Sequence, residues 1–410
     1  MRLLQSLLLV LFLMMNVTFV RANTKTYTFN SNKSKISIPF KLYNNIIIVD
    51  VKINETKTLK FIFDSGCKST IVIHPKWIDS FEIPLHQKVF FSGLGIRDSI
   101  ETRKMENGRI DIDLIRGENI PIFFLTKDTL NLDHYLGTDV DGIFGAELFE
   151  RYYIFINYKK RMIDFYHKKP VKKINSTFAK LPVQIRKSKG YINCAIMNSN
   201  NEIFMSELLL DTGSNIPIII KNKVPSDLNL NQYIQAEIGE GLSGAMYSSV
   251  GRIKRLFIDT LRFDSVIIAF NETPITFKEP DEYTLDGNIG NDILNRMDIY
   301  FAYPEKYVYF KPNRNIHDKF EFNISNIILL ENKTKNGGFI IKSIAENSPP
   351  LMAGLQLGDE IIKIDTYKCE DIQLEDALRL LNKRIGKKIN IQYKRNGISN
   401  KISYKLSSII

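Results

Sequence analysis

Short apolar runs rich in isoleucine, valine and aromatic residues punctuate the chain, separated by asparagine, glycine and charge. The first set is Ile36 to Phe40, Ile46 to Ile53, Leu59 to Phe63, Ile71 to Ile73, Ile120 to Leu125 and Tyr152 to Ile156. Runs of this length and β-branched content read as strands. A second set keeps the same rhythm: Tyr191 to Met197, Ile203 to Leu210, Ile216 to Ile220, Leu256 to Ile258, Val266 to Phe270 and Tyr307 to Phe310. Helices are expected only at Ala146 to Arg151, at Asn291 to Arg296 and, further on, at Leu374 to Asn382. The pattern predicts a mainly β body.

The two sets are copies of one plan. Phe61-Ile62-Phe63-Asp64-Ser65-Gly66 and Leu208-Leu209-Leu210-Asp211-Thr212-Gly213 each place three apolar residues before Asp, a hydroxyl residue and Gly. Asp141-Gly142-Ile143-Phe144-Gly145 is echoed by Asp286-Gly287-Asn288-Ile289-Gly290. Between the landmarks lies a glycine-bearing hairpin candidate, Gly93-Leu94-Gly95 in the first half and Gly241-Leu242-Ser243-Gly244 in the second. Period-like self-similarity of this kind marks duplicated structural units. The halves meet at residues 167–180, a lysine-rich stretch with Pro170 that reads as a solvated linker.

Composition removes several kinds of chemistry. At 44% hydrophobic and 25% charged, the 410 residues are those of a globular protein with room for two or three domains. Cys67, Cys194 and Cys369 lie far apart, so neither a disulfide framework nor paired-thiol zinc ligation is available, and free thiols are expected. No His-Glu-x-x-His and no Gly-x-Ser-x-Gly occurs. The net charge of +11 is dispersed and does not interleave with aromatics as a nucleic-acid site would. Met1 to Ala22 has a basic start, an apolar run and Val20-Arg21-Ala22 as a small-residue cleavage site, the form of an export signal. An uncleaved anchor is its alternative.

What remains is carboxylate chemistry. A lone Asp-Ser/Thr-Gly reads as a strand-ending turn, in which Asp bonds local backbone. A pair of them, each preceding a matching glycine segment, suggests two carboxylates that meet. Such carboxylates share one proton, so one can accept a proton from water while the other polarises a carbonyl.

On these residues the chain resembles the aspartic proteases whose halves are retroviral-protease-like, over about residues 35 to 312. The resemblance implies a bilobal double-β fold, with lobes at 23–166 and 181–312 in one chain. It implies Asp64 and Asp211 as the catalytic dyad, Ser65 and Thr212 as supporting hydroxyls, and Gly66 and Gly213 as glycines of close approach. No metal or cofactor is implied, and a monomer suffices. Residues Gly93, Leu94, Gly95, Gly241, Leu242, Ser243 and Gly244 become flap candidates for contacting substrate. Two positions depart from the family pattern: Cys67 follows the first glycine, and Asn288 replaces an apolar residue.

Beyond Lys311-Pro312-Asn313, the run Ala353-Gly354-Leu355-Gln356-Leu357-Gly358-Asp359 is similar to bacterial PDZ domains. That resemblance implies a small α+β module at 320–408 able to hold an extended peptide or a peptide C-terminus, with its groove near Phe322 to Leu330. The combined expectation is an exported endopeptidase acting on peptides or unfolded proteins, its final location periplasmic, secreted or at the cell surface. Its rival is a non-catalytic peptide-binding protein on the same scaffold.

Overall fold

The computed structural model describes residues 25–84, 88–91, 100–127, 130, 132–170, 174, 176–221, 230, 232–241, 244–270, 286–332, 338–408 and 410. The export-signal segment lies outside them.

The first half contains β1 (Thr26–Phe29), β2 (Lys35–Pro39), β3 (Lys41–Tyr43), β4 (Ile46–Ile53), β5 (Leu59–Phe63), β6 (Thr70–Val72), helix α1 (Lys76–Ser80), β7 (Lys88–Phe91), β8 (Ile100–Ile112), β9 (Ile115–Leu125), α2 (Leu132–Leu136), β10 (Gly142–Phe144), α3 (Glu147–Arg151), β11 (Tyr153–Asn157) and β12 (Met162–Tyr166). The second half contains β13 (Ala179–Pro182), β14 (Gln184–Arg186), β15 (Lys189–Met197), β16 (Ile203–Leu210), β17 (Ile218–Ile220), β18 (Tyr233–Gly241), β19 (Gly244–Ile258), β20 (Leu261–Phe270), β21 (Gly287–Ile289), α4 (Asn291–Leu294), β22 (Met297–Ala302) and β23 (Tyr307–Pro312). Each half folds a sheet of its own, in the orders β1-β9-β6-β10-β5-β4-β8-β7 and β14-β15-β16-β21-β17-β20-β19-β18. The repeat seen in the sequence is a repeat in topology. In the first half β10 runs parallel to β5 and antiparallel to β6; in the second β21 stands in the same relation to β16 and β17.

A third sheet, β13-β23-β22-β11-β12-β2, draws strands from both halves. Its seam is the antiparallel pair β11 and β22, with Ile154 opposite Phe301 and Ile156 opposite Ile299. Residues 153–157 alternate partly buried and buried, as a strand between a core and a second layer should. The core continues through this seam: Phe149 stacks edge-on against Phe301 at 5.0 Å and lies 5.2 Å from Phe63. Most buried side chains between Tyr27 and Phe320 form one cluster that spans both halves, while a smaller one, from Ile46 to Ile143, belongs to the first half alone.

The described residues of the stretch 167–180 are exposed or half-buried, and a few of them also touch the body. His167 packs on Phe29 at 3.8 Å, Lys169 bonds Glu305 and the Tyr309 hydroxyl at 2.8 and 2.9 Å, and Ala179 already belongs to β13. Tyr309 and Tyr307 face the Lys169 and Lys180 ammonium groups and tether the segment to the shared sheet, a tertiary effect that local charge density does not reveal.

The C-terminal unit has β24 (Ile327–Glu331), β25 (Phe339–Ile344), α5 (Pro349–Met352), β26 (Glu360–Ile364), β27 (Tyr367–Lys368), α6 (Leu374–Leu381), β28 (Lys388–Arg395) and β29 (Ile398–Lys405). Its sheet runs β24-β25-β26-β28-β29, and its core, from Ile324 to Leu406, is separate. The buried residues of α6, Leu374, Ala377, Leu380 and Leu381, follow the helical period. The unit leans on the first half and on β18. His134 Nδ1 lies 2.9 Å from the Glu331 carbonyl oxygen, Gly137 abuts Leu374, and Lys342 pairs with Glu237. Among the described residues no helix is long and apolar enough to cross a membrane.

Candidate active site

Both Asp-hydroxyl-Gly turns begin where a core strand stops. Phe63 and Leu210, the last residues of β5 and β16, are almost fully buried, so the following Asp emerges from the floor of the molecule. Neighbouring strands fix that exit. The Asp64 amide donates to the Phe144 carbonyl oxygen at 3.0 Å, and the Asp211 amide to that of Ile289 at 2.9 Å. The turns therefore rest on the repeated Ile143-Phe144-Gly145 and Asn288-Ile289-Gly290 segments.

Ser65 and Thr212, both fully buried, join the halves. The Thr212 hydroxyl donates to the Phe63 carbonyl oxygen at 2.6 Å and accepts from the Ser65 amide at 2.9 Å. In return the Ser65 hydroxyl donates to the Leu210 carbonyl oxygen at 2.7 Å and accepts from the Thr212 amide at 3.0 Å. Each hydroxyl thus satisfies two backbone groups of the opposite half, so the turns are held in one relative position.

The carboxyls face each other across this crossing, each packed against the glycine of the opposite turn. Asp64 Oδ1 accepts from the Gly66 and Cys67 amides at 2.7 and 3.0 Å; Asp211 Oδ1 accepts from the Gly213 amide at 3.0 Å. The glycines leave room for the opposite carboxyl. A Cβ on Gly66 would lie 2.6 Å from Asp211 Oδ1, and one on Gly213 would collide with the Asp64 carboxyl.

Burial raises the pKa of both carboxyls. Asp64 goes well above the usual range, because the Asp211 charge adds to burial and outweighs the Gly66 and Cys67 amides. Asp211 is also raised by burial, but the Gly213 amide, the Lys221 ammonium, Asp64 and the Asn288 side chain pull it back. Of the two, Asp64 is pushed further toward the protonated form. Beside it, burial and the Asp64 charge push the Cys67 thiol up to about 12, so it is neutral.

Above the dyad opens a cavity of about 390 Å³. Its walls carry aliphatic side chains, Ile62, Ile71 and Ile143 from the first half and Leu209, Ile216 and Ile219 from the second, beside Lys68, Lys187, Lys189 and Lys221. Both hairpins reach it, through Val89, Phe90 and Phe91 of β7 and through Gly239, Gly241 and Met246 of β18 and β19. Gly241 therefore lines the cavity, while Gly244 pairs with it across the hairpin. Flap candidates Gly93, Leu94, Gly95, Leu242 and Ser243 lie outside the described residues.

Sequence reasoning missed three contributors. Tyr135 on α2 lines the cavity, and its hydroxyl bonds Asn215 just beyond the second turn. Lys221, the residue after β17, is buried, and Asn288 bonds Asp211 directly. For Asn288 the broken apolar pattern was itself the signal. Among the described residues no cluster of three or more His, Cys, Asp or Glu could hold a metal ion.

The first of these turns lies within a match to a known family. Residues 49–148 match the aspartyl protease family, and residues 304–406 match the PDZ domain family. The aspartyl protease match contains the first turn and Ile143-Phe144-Gly145; the second turn is their topological repeat. The PDZ match begins within the shared sheet, ahead of the separate C-terminal core. Among solved structures, the aspartic proteinase from Irpex lacteus is similar, with 11% identity and a TM-score of 0.43 over 69% of this chain and 99% of that one. No curated protein matches the chain. The protease-like body is mainly β with two related halves, and a PDZ domain follows it.

Proposed function

We propose that the protein is an aspartic endopeptidase in which Asp64 and Asp211 act together on a water molecule. The observation that carries this reading is the approach of two half-buried carboxyls, each packed against the glycine of the opposite turn, at the base of a cleft. The ionised Asp211 takes a proton from the water as its oxygen bonds the scissile carbonyl carbon. Asp64 gives its proton to the carbonyl oxygen, and a tetrahedral diol results. As the C–N bond breaks, the proton on Asp211 passes to the leaving nitrogen and a diol hydroxyl returns one to Asp64. The dyad is restored without metal or cofactor, and both carboxyls come from one chain, so a monomer is competent.

In this reading the aliphatic walls receive apolar side chains of an extended peptide, and the two hairpins exclude solvent from the reacting bond. The PDZ domain holds a peptide by adding it as a strand along β24, the terminal strand of its sheet, which contacts α6. The N-terminal segment directs export, and N-terminal sequencing of the mature protein checks its removal at Ala22.

The decisive measurement is cleavage of an unfolded protein across pH. Asp64→Asn and Asp211→Asn are each expected to lower kcat at least about a thousandfold while keeping the native circular dichroism, consistent with the loss of an acid or base. Undiminished cleavage in either variant refutes the dyad.

A further inference from the structure

The internal repeat supplies its own control for one position beside the dyad. In the first half β10 sets Ile143 opposite Ile62 on one side and Ile71 on the other. In the second half β21 sets Asn288 opposite Leu209 and Ile219. All six residues line the cavity. An amide therefore stands where the repeat places an aliphatic side chain.

That amide is buried, at 1% exposure, and is only half satisfied. Its Nδ2 donates to Asp211 Oδ2 at 2.8 Å, while its Oδ1 has no hydrogen-bond partner among the described residues. The orientation follows from charge: turned the other way, the amide oxygen would face a carboxylate oxygen. Burying an amide whose acceptor goes unpaired is unfavourable, and an aliphatic residue here would incur no such cost. The favourable part of the arrangement is the bond to Asp211. Asp211 Oδ1 is already held by the Gly213 amide, so Asn288 engages the second oxygen of the same carboxyl. The side chain at the matching place beside Asp64, Ile143, has no donor to offer.

We propose that Asn288 is a positioning residue that keeps Asp211 the ionised member of the dyad and so assigns the shared proton to Asp64. The assignment rests on the peptidase reading given above. It fixes which carboxyl is base and which is acid in the first step, a choice that two equivalent turns would leave open.

Other charges near Asp211 act alongside Asn288. Asp64 faces it directly, and Lys221, just after β17, contributes a positive charge. From the first turn come the neutral Cys67 thiol and Lys68; from β15 and the turn before it come Lys189 and Lys187. On the far side, Tyr135 of α2 bonds Asn215, and Glu237 of β18 is paired with Lys342. Lys221 reinforces the same asymmetry through its charge, whereas Asn288 acts through a directed bond that substitution can remove alone.

The test is the pH profile of kcat/KM for peptide cleavage by the full-length protein, compared with Asn288→Ile and Asn288→Ser. The first copies the side chain of the other half; the second removes the amide without adding bulk. The acid limb reports the first proton lost from the free dyad. Loss of a hydrogen bond to the ionised form is expected to move that limb upward by about one pH unit in both variants. The basic limb, governed by Asp64, is expected to move less. An acid limb that stays in place in both variants overturns the inference, and so does a uniform fall in kcat with an unmoved limb, the mark of a structural role. If Asn288→Ile does not fold, the profile of Asn288→Ser decides. A wild-type protein that cleaves nothing at any pH refutes the peptidase reading itself, and is thereby distinguished from an active enzyme with an unmoved limb.

Discussion

Asp64 is costly to ionise in the folded state and ordinary in the unfolded one, and that difference has a measurable consequence for stability. Burial and the Asp211 charge raise its folded pKa, whereas an unfolded carboxyl titrates near about 4. The folded state therefore retains a proton that the unfolded chain releases as pH rises above that value. The raised pKa favours folding least at high pH: the stability it confers is fully present below the unfolded pKa and is lost as pH rises through the folded one, at about 1.4 kcal/mol for each pH unit between the two. Asp64→Asn removes this dependence. Its melting temperature is expected to exceed that of the wild type near neutral pH, with the gap closing toward pH 4; thermal scans at fixed ionic strength check it, and a gap that widens toward acid refutes it. Asp64 and Asp211 were legible in the sequence because the same turn occurs twice. Tyr135 and Lys221 were not, because each enters the site from an element whose own pattern points elsewhere. Asn288 was visible as an irregularity, but its bond to Asp211 needed the register of β21.

Among the elements, the short apolar strands were legible and the long hairpin strands were not. Leu59–Phe63 and Ile203–Leu210 are apolar runs whose composition announces them, the first buried almost throughout and the second toward its Leu208–Leu210 end. By contrast, β8 spans Ile100–Ile112 with six charged residues in its sequence, and its core contacts come from every second residue only at its ends. Helix α2 was equally hidden. Five residues are too few to display a helical period, yet α2 serves two neighbours, lining the cavity with Leu132, Tyr135 and Leu136 and meeting β24 through His134. The pairing of Lys342 on β25 with Glu237 on β18 ties the PDZ domain to a hairpin of the cleft. Glu237 is almost fully buried, so removing its counter-charge leaves a carboxylate poorly compensated. Lys342→Ala is expected to destabilise the protein by about 1–3 kcal/mol. Adding Glu237→Gln should recover most of that loss, since the buried charge goes with its partner. Denaturant titrations of the two variants and the wild type read the difference, and equal losses in the single and double variants would show that the pair carries no coupling.

At the scale of the whole molecule, a main core that spans both duplicated halves and a separate core in the C-terminal unit imply two cooperative units, although the sequence divides into three pieces. The duplicated halves look independent in a linear reading because each carries its own turn, hairpin and glycine segment. The structure merges them. Strands β11, β12 and β2 of the first half continue into β22, β23 and β13 of the second, and the Ser65 and Thr212 hydroxyls are satisfied only across the junction. Cutting between the halves would expose the edge of β11, uncover Phe149 where it packs on Phe301, and leave buried backbone groups unpaired. The PDZ domain is different: its sheet and its core from Ile324 to Leu406 are internal, and it meets the rest through a few contacts such as His134 with Glu331 and Lys342 with Glu237. Calorimetry of the whole chain is therefore expected to resolve two transitions, the larger for residues 25–320 as one unit and the smaller for the PDZ domain. An inhibitor that mimics the tetrahedral intermediate should raise the larger transition, because it binds only where both halves are in place. The fragment 23–166 alone is expected to lack a cooperative transition as a monomer. Three transitions in the intact chain, or a monomeric 23–166 that melts cooperatively, would show that the shared sheet is a contact between finished domains and not part of one core.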